Sequence, residues 1–95
     1  MKTDINHIIL LIKPLLTKYS IRSASIVGSF AYGDYSSDSD LDLVVEIEKP
    51  MSLLTFATIK IELEEILNRK VDLIERSAIK HRLKQSLLSR EIIIA

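Results

Sequence analysis

Asp40 and Asp42 stand two residues apart at the head of an apolar run, Leu41-Asp42-Leu43-Val44-Val45. Side chains on a β-strand alternate between faces, so this spacing sends both carboxylates out of one face and Leu41, Leu43, Val45 and Ile47 out of the other. Two ionised carboxylates held about 4 Å apart repel by ~4 kcal/mol at an effective dielectric of about 20, and folds that hold such a pair bind a cation there or raise one pKa. A donor set made only of oxygens suits Mg²⁺. Just upstream, both glycines of the chain, Gly28 and Gly33, bracket one short loop, Gly28-Ser29-Phe30-Ala31-Tyr32-Gly33. These are the positions where the backbone most readily takes φ > 0 or approaches a ligand closely. If Ser29 opens a short helix, the loop offers backbone N–H groups, a hydroxyl and a positive helix end to a phosphate. Phosphate beside a carboxylate-held metal is the chemistry of nucleotides.

Taken alone, an Asp-x-Asp pair is a weak signal, because acidic pairs open many surface strands. Asp38, Asp40 and Asp42 also mimic the first ligands of a calcium loop, but Leu43 stands where the sharp-turn glycine belongs and Lys49 where the bidentate glutamate belongs. A P-loop is excluded as well, since no lysine follows the second glycine. The specific signal is the conjunction: a strand, Gly-Ser, Ala-x-Gly, then Ser39-Asp40-Leu41-Asp42-Leu43, and one helix later Val71-Asp72-Leu73.

That conjunction resembles the minimal nucleotidyltransferases of the DNA polymerase β-like superfamily, whose loop reads GSxARG followed by SDxDL. Gly28, Ser29, Ala31, Gly33, Ser39, Asp40, Asp42 and Leu43 match; Tyr32 stands where that family usually carries arginine. The resemblance implies an α/β (α+β) nucleotidyltransferase fold, a small mixed sheet with helices packed on one face. It implies Asp40, Asp42 and Asp72 as catalytic and metal-holding carboxylates for two Mg²⁺ ions. Gly28, Ser29, Gly33 and Ser39 would bind the nucleotide phosphates, with ATP as substrate and AMP as the transferred group. The implied acceptor is a hydroxyl, a tyrosine of a helical HEPN-type toxin, which would make this chain the antitoxin of a toxin–antitoxin pair. Tyr32 brings no fixed charge where arginine would contact phosphate or an ion-pair partner. Two other readings therefore stand beside the first: a non-catalytic module that neutralises its partner by occlusion, and the catalytic subunit of a small-molecule nucleotidyltransferase.

Composition bounds these readings. Ninety-five residues are expected to form one domain, 1–95, and 47% hydrophobic residues with few aromatics fit a globular core of leucine and isoleucine. Thirteen basic residues balance thirteen acidic ones, which argues against nucleic-acid binding through bulk charge. The charges are unevenly spread, with no Lys or Arg from Ser23 to Glu48 and seven from Arg69 to Arg90. This is either an acidic metal-binding rim with a basic tail or a set of solvated helix faces. There is no cysteine, so disulfides and thiolate metal sites are excluded. Met1-Lys2-Thr3-Asp4 carries an early acid and no small-residue cleavage site, and the apolar run Ile8 to Ile12 is too short to span a bilayer. A cytoplasmic location without a membrane partner is expected, and the oligomeric state is left open.

Several elements must position the acids. Asp4 is a candidate N-cap for a helix with Ile5, Ile8, Ile9 and Ile12 at helical spacing and His7 on the surface. Pro14 is expected to end or kink it and to open a second helical turn through Lys18. Ile21 to Val27 reads as a first strand feeding the glycine loop, and Asp34 to Asp38 as an exposed turn. A second strand follows over Asp40 to Ile47. Ser52 is expected to cap a helix carrying Leu53, Phe56, Ile59, Leu63, Ile66 and Leu67. Lys70 to Glu75 reads as a third strand with Asp72 on the face opposite Val71 and Leu73; lying beside the second strand, it would complete a cluster of three carboxylates. An amphipathic helix is expected over Ser77 to Leu88. Ile92 to Ile94 reads as a fourth, edge strand or as an apolar tail that meets a partner.

Overall fold

The computed structural model describes residues 5–28, 30, 33, 40–80, 88–89 and 91–94. Helix α1 spans Ile5–Lys18 and buries Ile8, Ile12, Leu15 and Leu16, a single stripe at the spacing of a 3.6-residue turn. Pro14 neither ends this helix nor starts a separate one: it lies inside it. The proline leaves the Leu10 carbonyl without its helical donor, on the side of the helix where Leu10 (67% exposed) and Pro14 face solvent. The helix ends where Ser20 takes the left-handed conformation (φ 54°) and its N–H donates to the Thr17 carbonyl at 3.3 Å.

Strand β1 (Ile21–Val27) and strand β2 (Leu41–Ile47) pair antiparallel, with Ser25 opposite Val44 and Val27 opposite Asp42. Helix α2 (Leu53–Leu67) begins at the expected cap, Ser52, whose hydroxyl accepts from the Thr55 N–H at 3.1 Å. Left-handed Asn68 ends it. The chain then returns as β3 (Val71–Glu75), parallel to β2, and the short strand β4 (Ile92–Ile93) pairs antiparallel with the far side of β1. Among the described residues the sheet is therefore mixed and four-stranded, in the order β3-β2-β1-β4.

Both described helices pack on one face of this sheet. Ala24 and Ile26 of β1, Leu41, Leu43 and Val45 of β2, and Val71 of β3 meet the α1 stripe and Ile59, Leu63 and Leu67 of α2 in one core. Each fully buried leucine, isoleucine or phenylalanine contributes about 1.5–3 kcal/mol relative to exposure. The alternate strand positions form the second face, where the acids Asp42 and Asp72 stand at one end. At the other end Arg76 pairs with Glu91 at 2.8 Å and with Glu46 at 3.6 Å, and donates to Ser25 Oγ at 3.4 Å. That hub ties the approach to β4 to the middle of the sheet.

The apolar C-terminal stretch thus packs on its own sheet: Ile94 donates its N–H to the Ala24 carbonyl at 2.8 Å and its side chain is buried. The expected helix does not begin at Ser77. Arg76–Ala78 is one 3₁₀ turn, the Glu75 carboxylate takes the Ser77 N–H at 2.8 Å, and Ile79 is extended (φ −74°, ψ 125°). The Ile79 N–H closes an i→i+3 bond to Arg76 at 3.2 Å, so the chain leaves helical geometry where an α-helix would need its first i→i+4 bond. Residues 81–87 of that expected helix, the proposed cap Asp4 and the turn Asp34 to Asp38 lie outside the described residues. His7 is exposed, as expected. Among the described residues no helix is long and apolar enough to cross a membrane.

Candidate active site

The register of β2 against β3 sets the site. The Leu41 N–H donates to the Lys70 carbonyl at 2.9 Å, and the Val71 N–H, which points away from β2, is taken by Glu64 of α2 at 3.1 Å. These two bonds start the parallel ladder level, so Leu41 faces Val71 and, one residue on, Asp42 faces Asp72. Alternation then puts Val71 in the core and leaves Asp72 exposed on the other face, as its place in an apolar run predicts. On its other side Asp42 faces Val27, the last residue of β1.

Gly28 follows Val27 and therefore lies against Asp42. Its φ is 73°, and a Cβ there would run into the Asp42 Oδ2. Glycine is required twice over, by conformation and by contact. Gly33 has φ 76° with open space where a Cβ would be, so only conformation selects it; its N–H donates to the Phe30 carbonyl at 3.3 Å and closes the turn. Phe30 anchors the loop in the core at 1% exposure. Ser29, Ala31, Tyr32 and Ser39 lie outside the described residues.

Burial, a hydrogen bond with Asp72, and the charges of Asp72 and then Asp40 push the Asp42 carboxyl up to about 6. Asp40, exposed just before β2, thus acts on Asp42 through its field. Among the described residues, no three acidic or histidine side chains converge on a common point as metal ligands would. The three acids are a facing pair with a neighbouring charge. Such uncompensated negative charge, carried by oxygen alone, fits a hard divalent cation that uses one or two carboxylates and completes its shell with water and substrate phosphates.

One contributor escapes sequence reading. The Arg69 guanidinium lies 4.8 Å above the Phe30 ring, a cation–π contact that pins the glycine loop to the turn preceding β3. Arg69 is 39 residues from Phe30 in the chain and was legible only as one of seven basic residues near the C-terminus. No local spacing signals the pairing.

Comparison with known proteins agrees with this architecture. Residues 8–94 match the nucleotidyltransferase domain family. A Methanocaldococcus jannaschii protein provisionally named a protein adenylyltransferase is 37% identical over 89 residues, covering 94% of this chain and 96% of its own. The protein adenylyltransferase MntA of Thermococcus cleftensis is 33% identical over 81 residues, 85% of this chain and 81% of its own. Among solved structures, a toxin–antitoxin with AMP-PNP superposes with a TM-score of 0.80 at 19% identity, covering 92% of this chain and 72% of that one. A tri-AMPylated HEPN toxin of Shewanella oneidensis in complex with its MNT antitoxin superposes with a TM-score of 0.66 at 19% identity, covering 95% and 67%. At these identities the two structures establish the fold. With the profile spanning nearly the whole sequence and the acids paired at the mouth of the sheet, the chain belongs to the nucleotidyltransferase domain family.

Proposed function

We propose that this chain transfers AMP from ATP to a hydroxyl of a partner polypeptide, a tyrosine of a HEPN-type toxin, and so acts as the antitoxin of the pair. The observation that carries the reading is the level placement of Asp42 and Asp72 with Gly28 against the first of them. The names of the relatives, protein adenylyltransferases, supply the acceptor class. The toxin–antitoxin structures supply the kind of partner.

Asp42 and Asp72, with the neighbouring charge of Asp40, would hold Mg²⁺ together with water and the substrate phosphates, and the metal would supply charge neutralisation on the triphosphate and on the attacking oxygen. The loop from Gly28, its turn closed by Gly33, would bind the β and γ phosphates through backbone N–H groups and the hydroxyls of Ser29 and Ser39. Asp72, the exposed member of the pair, takes the proton of the incoming hydroxyl. The hydroxyl oxygen forms a bond to the α-phosphorus, the bond between that phosphorus and the α,β-bridging oxygen breaks, and pyrophosphate leaves with the electron pair. Catalysis here is mainly positioning and electrostatics, the rigid sheet holding the acids in register before substrate arrives.

Incubating the chain with α-labelled ATP, Mg²⁺ and a HEPN-type toxin protein tests the reading. Label on the partner is expected with the wild type, and Asp42→Asn, which keeps side-chain volume, should lower the rate by at least 10³-fold. A tight complex that never becomes labelled indicates occlusion instead, and equal labelling by Asp42→Asn removes the carboxylate from its role.

A further inference from the structure

Among the described residues β3 is an edge of the sheet, and a groove of about 560 Å³ runs between it and the N-terminal half of α2. Phe56, Ala57 and Lys60 wall it on the helix side and Leu73 and Ile74 on the strand side; Asp72 is part of the same wall. The groove is thus continuous with the acid pair. Leu53 also lines it and is 88% exposed, with its neighbour Leu54 79% exposed. Two bare leucines at a helix start are apolar surface that a covering chain would remove from water.

The order of groups across the sheet identifies the occupant. Gly28 lies on the β1 side of Asp42, Asp72 lies on the β3 side, and the groove lies beyond Asp72. In an in-line displacement the attacking and leaving oxygens stand on opposite sides of the phosphorus. With the leaving phosphates at the glycine loop, the nucleophile must arrive from the side of Asp72. The ladder also fixes the backbone: with Lys70 bonded to Leu41, the Leu73 peptide groups point away from β2 at this edge. Edge peptide groups with alternating apolar pockets are what an extended chain reads when it adds to a sheet.

We propose that this groove is the acceptor subsite: it seats an extended, largely apolar segment of the partner polypeptide that carries the reactive hydroxyl, with an acidic residue of that segment meeting Lys60. This deepens the functional reading above and rests on it for the position of the leaving phosphates. Leu53→Asp and Lys60→Glu test it, because both residues are exposed and their replacement leaves the core intact. With the full chain, the HEPN-type protein as acceptor and labelled ATP, each variant should lose at least tenfold in kcat/KM for the acceptor while KM for ATP stays within twofold. Titration of the same partner in the presence of a non-hydrolysable ATP analogue should show at least tenfold weaker binding, and Lys60→Arg should retain wild-type affinity. Unchanged acceptor binding overturns the assignment, and so does a tenfold rise in KM for ATP, which would make the groove a base pocket. If the wild type binds the partner but transfers no label, the transferase reading fails alone and the binding titration still decides the groove. If the wild type neither binds nor labels the partner, both readings fall.

Discussion

Under the proposed function, Asp42 carries a conflict between stability and chemistry. Its carboxyl is pushed up to about 6 from an ordinary value near 3.8 by burial and by Asp72 and Asp40. A carboxyl whose folded pKa is raised binds its proton more tightly in the folded state than in the unfolded one. Its contribution is therefore most favourable below about pH 4, and is lost as pH rises through about 6. A shift of this size corresponds to roughly 3 kcal/mol before screening, and solvent access at this half-buried position leaves about 1–2 kcal/mol. Asp42→Asn, measured without divalent cation, is expected to be more stable than wild type by that amount at pH 8 and nearly equal to it at pH 4. Urea midpoints of the two proteins across that range provide the check; a difference that does not change with pH would remove the charge conflict from the account. The same variant should be inactive, which separates what the residue does for folding from what it does for transfer.

The elements show which local rules were sufficient. β1 and β2 were legible because Ile26-Val27 runs into a glycine and because Leu41, Leu43 and Val45 alternate with Asp42 and Val44, a period that only a strand satisfies. The cap at Ser52 and the third strand followed from equally local chemistry. What could not be read was anything set by distant residues: the parallel register that brings Asp72 level with Asp42, the Arg69–Phe30 contact, and the Arg76 hub. Two local rules also lost. The helix start expected at Ser77 yields to the Glu75 carboxylate, which closes a tighter turn, and the helix end expected at Pro14 yields to the packing of Leu15 and Leu16 beyond it. The second loss has a measurable cost. Proline in a helix interior is about 3 kcal/mol worse than alanine, and alanine gives back about 0.4–1 kcal/mol through the looser unfolded chain. Pro14→Ala should therefore stabilise the protein by ~2 kcal/mol, since the new N–H finds the Leu10 carbonyl and the site is exposed. Denaturant midpoints at unchanged m-value would show it, and a neutral or destabilising result would mean that the ring packs usefully where it stands.

Across the molecule, the sheet has one end built around negative charge and the other stapled by Arg76, so unfavourable charge gathers at the acidic end while the opposite one is braced. A ligand that binds only the folded state stabilises it by RT ln(1 + [L]/Kd), about 2.7 kcal/mol at a hundredfold excess over Kd. Mg²⁺ is such a ligand if Asp42 and Asp72 hold it, because the facing pair exists only once β2 and β3 have joined. Cation and proton then compete for the same oxygens: at pH 8 the carboxyl of Asp42 is ionised and Mg²⁺ should raise the melting temperature of the wild type by several degrees. At pH 5 the proton occupies Asp42 and the increment should shrink. Asp42→Asn should show little increment at either pH, and EDTA should return the wild type to its apo value. Calorimetry of both proteins at the two pH values, with and without Mg²⁺, reads all of these. An equal response from Asp42→Asn would place the cation elsewhere on the surface and detach the metal from the paired acids.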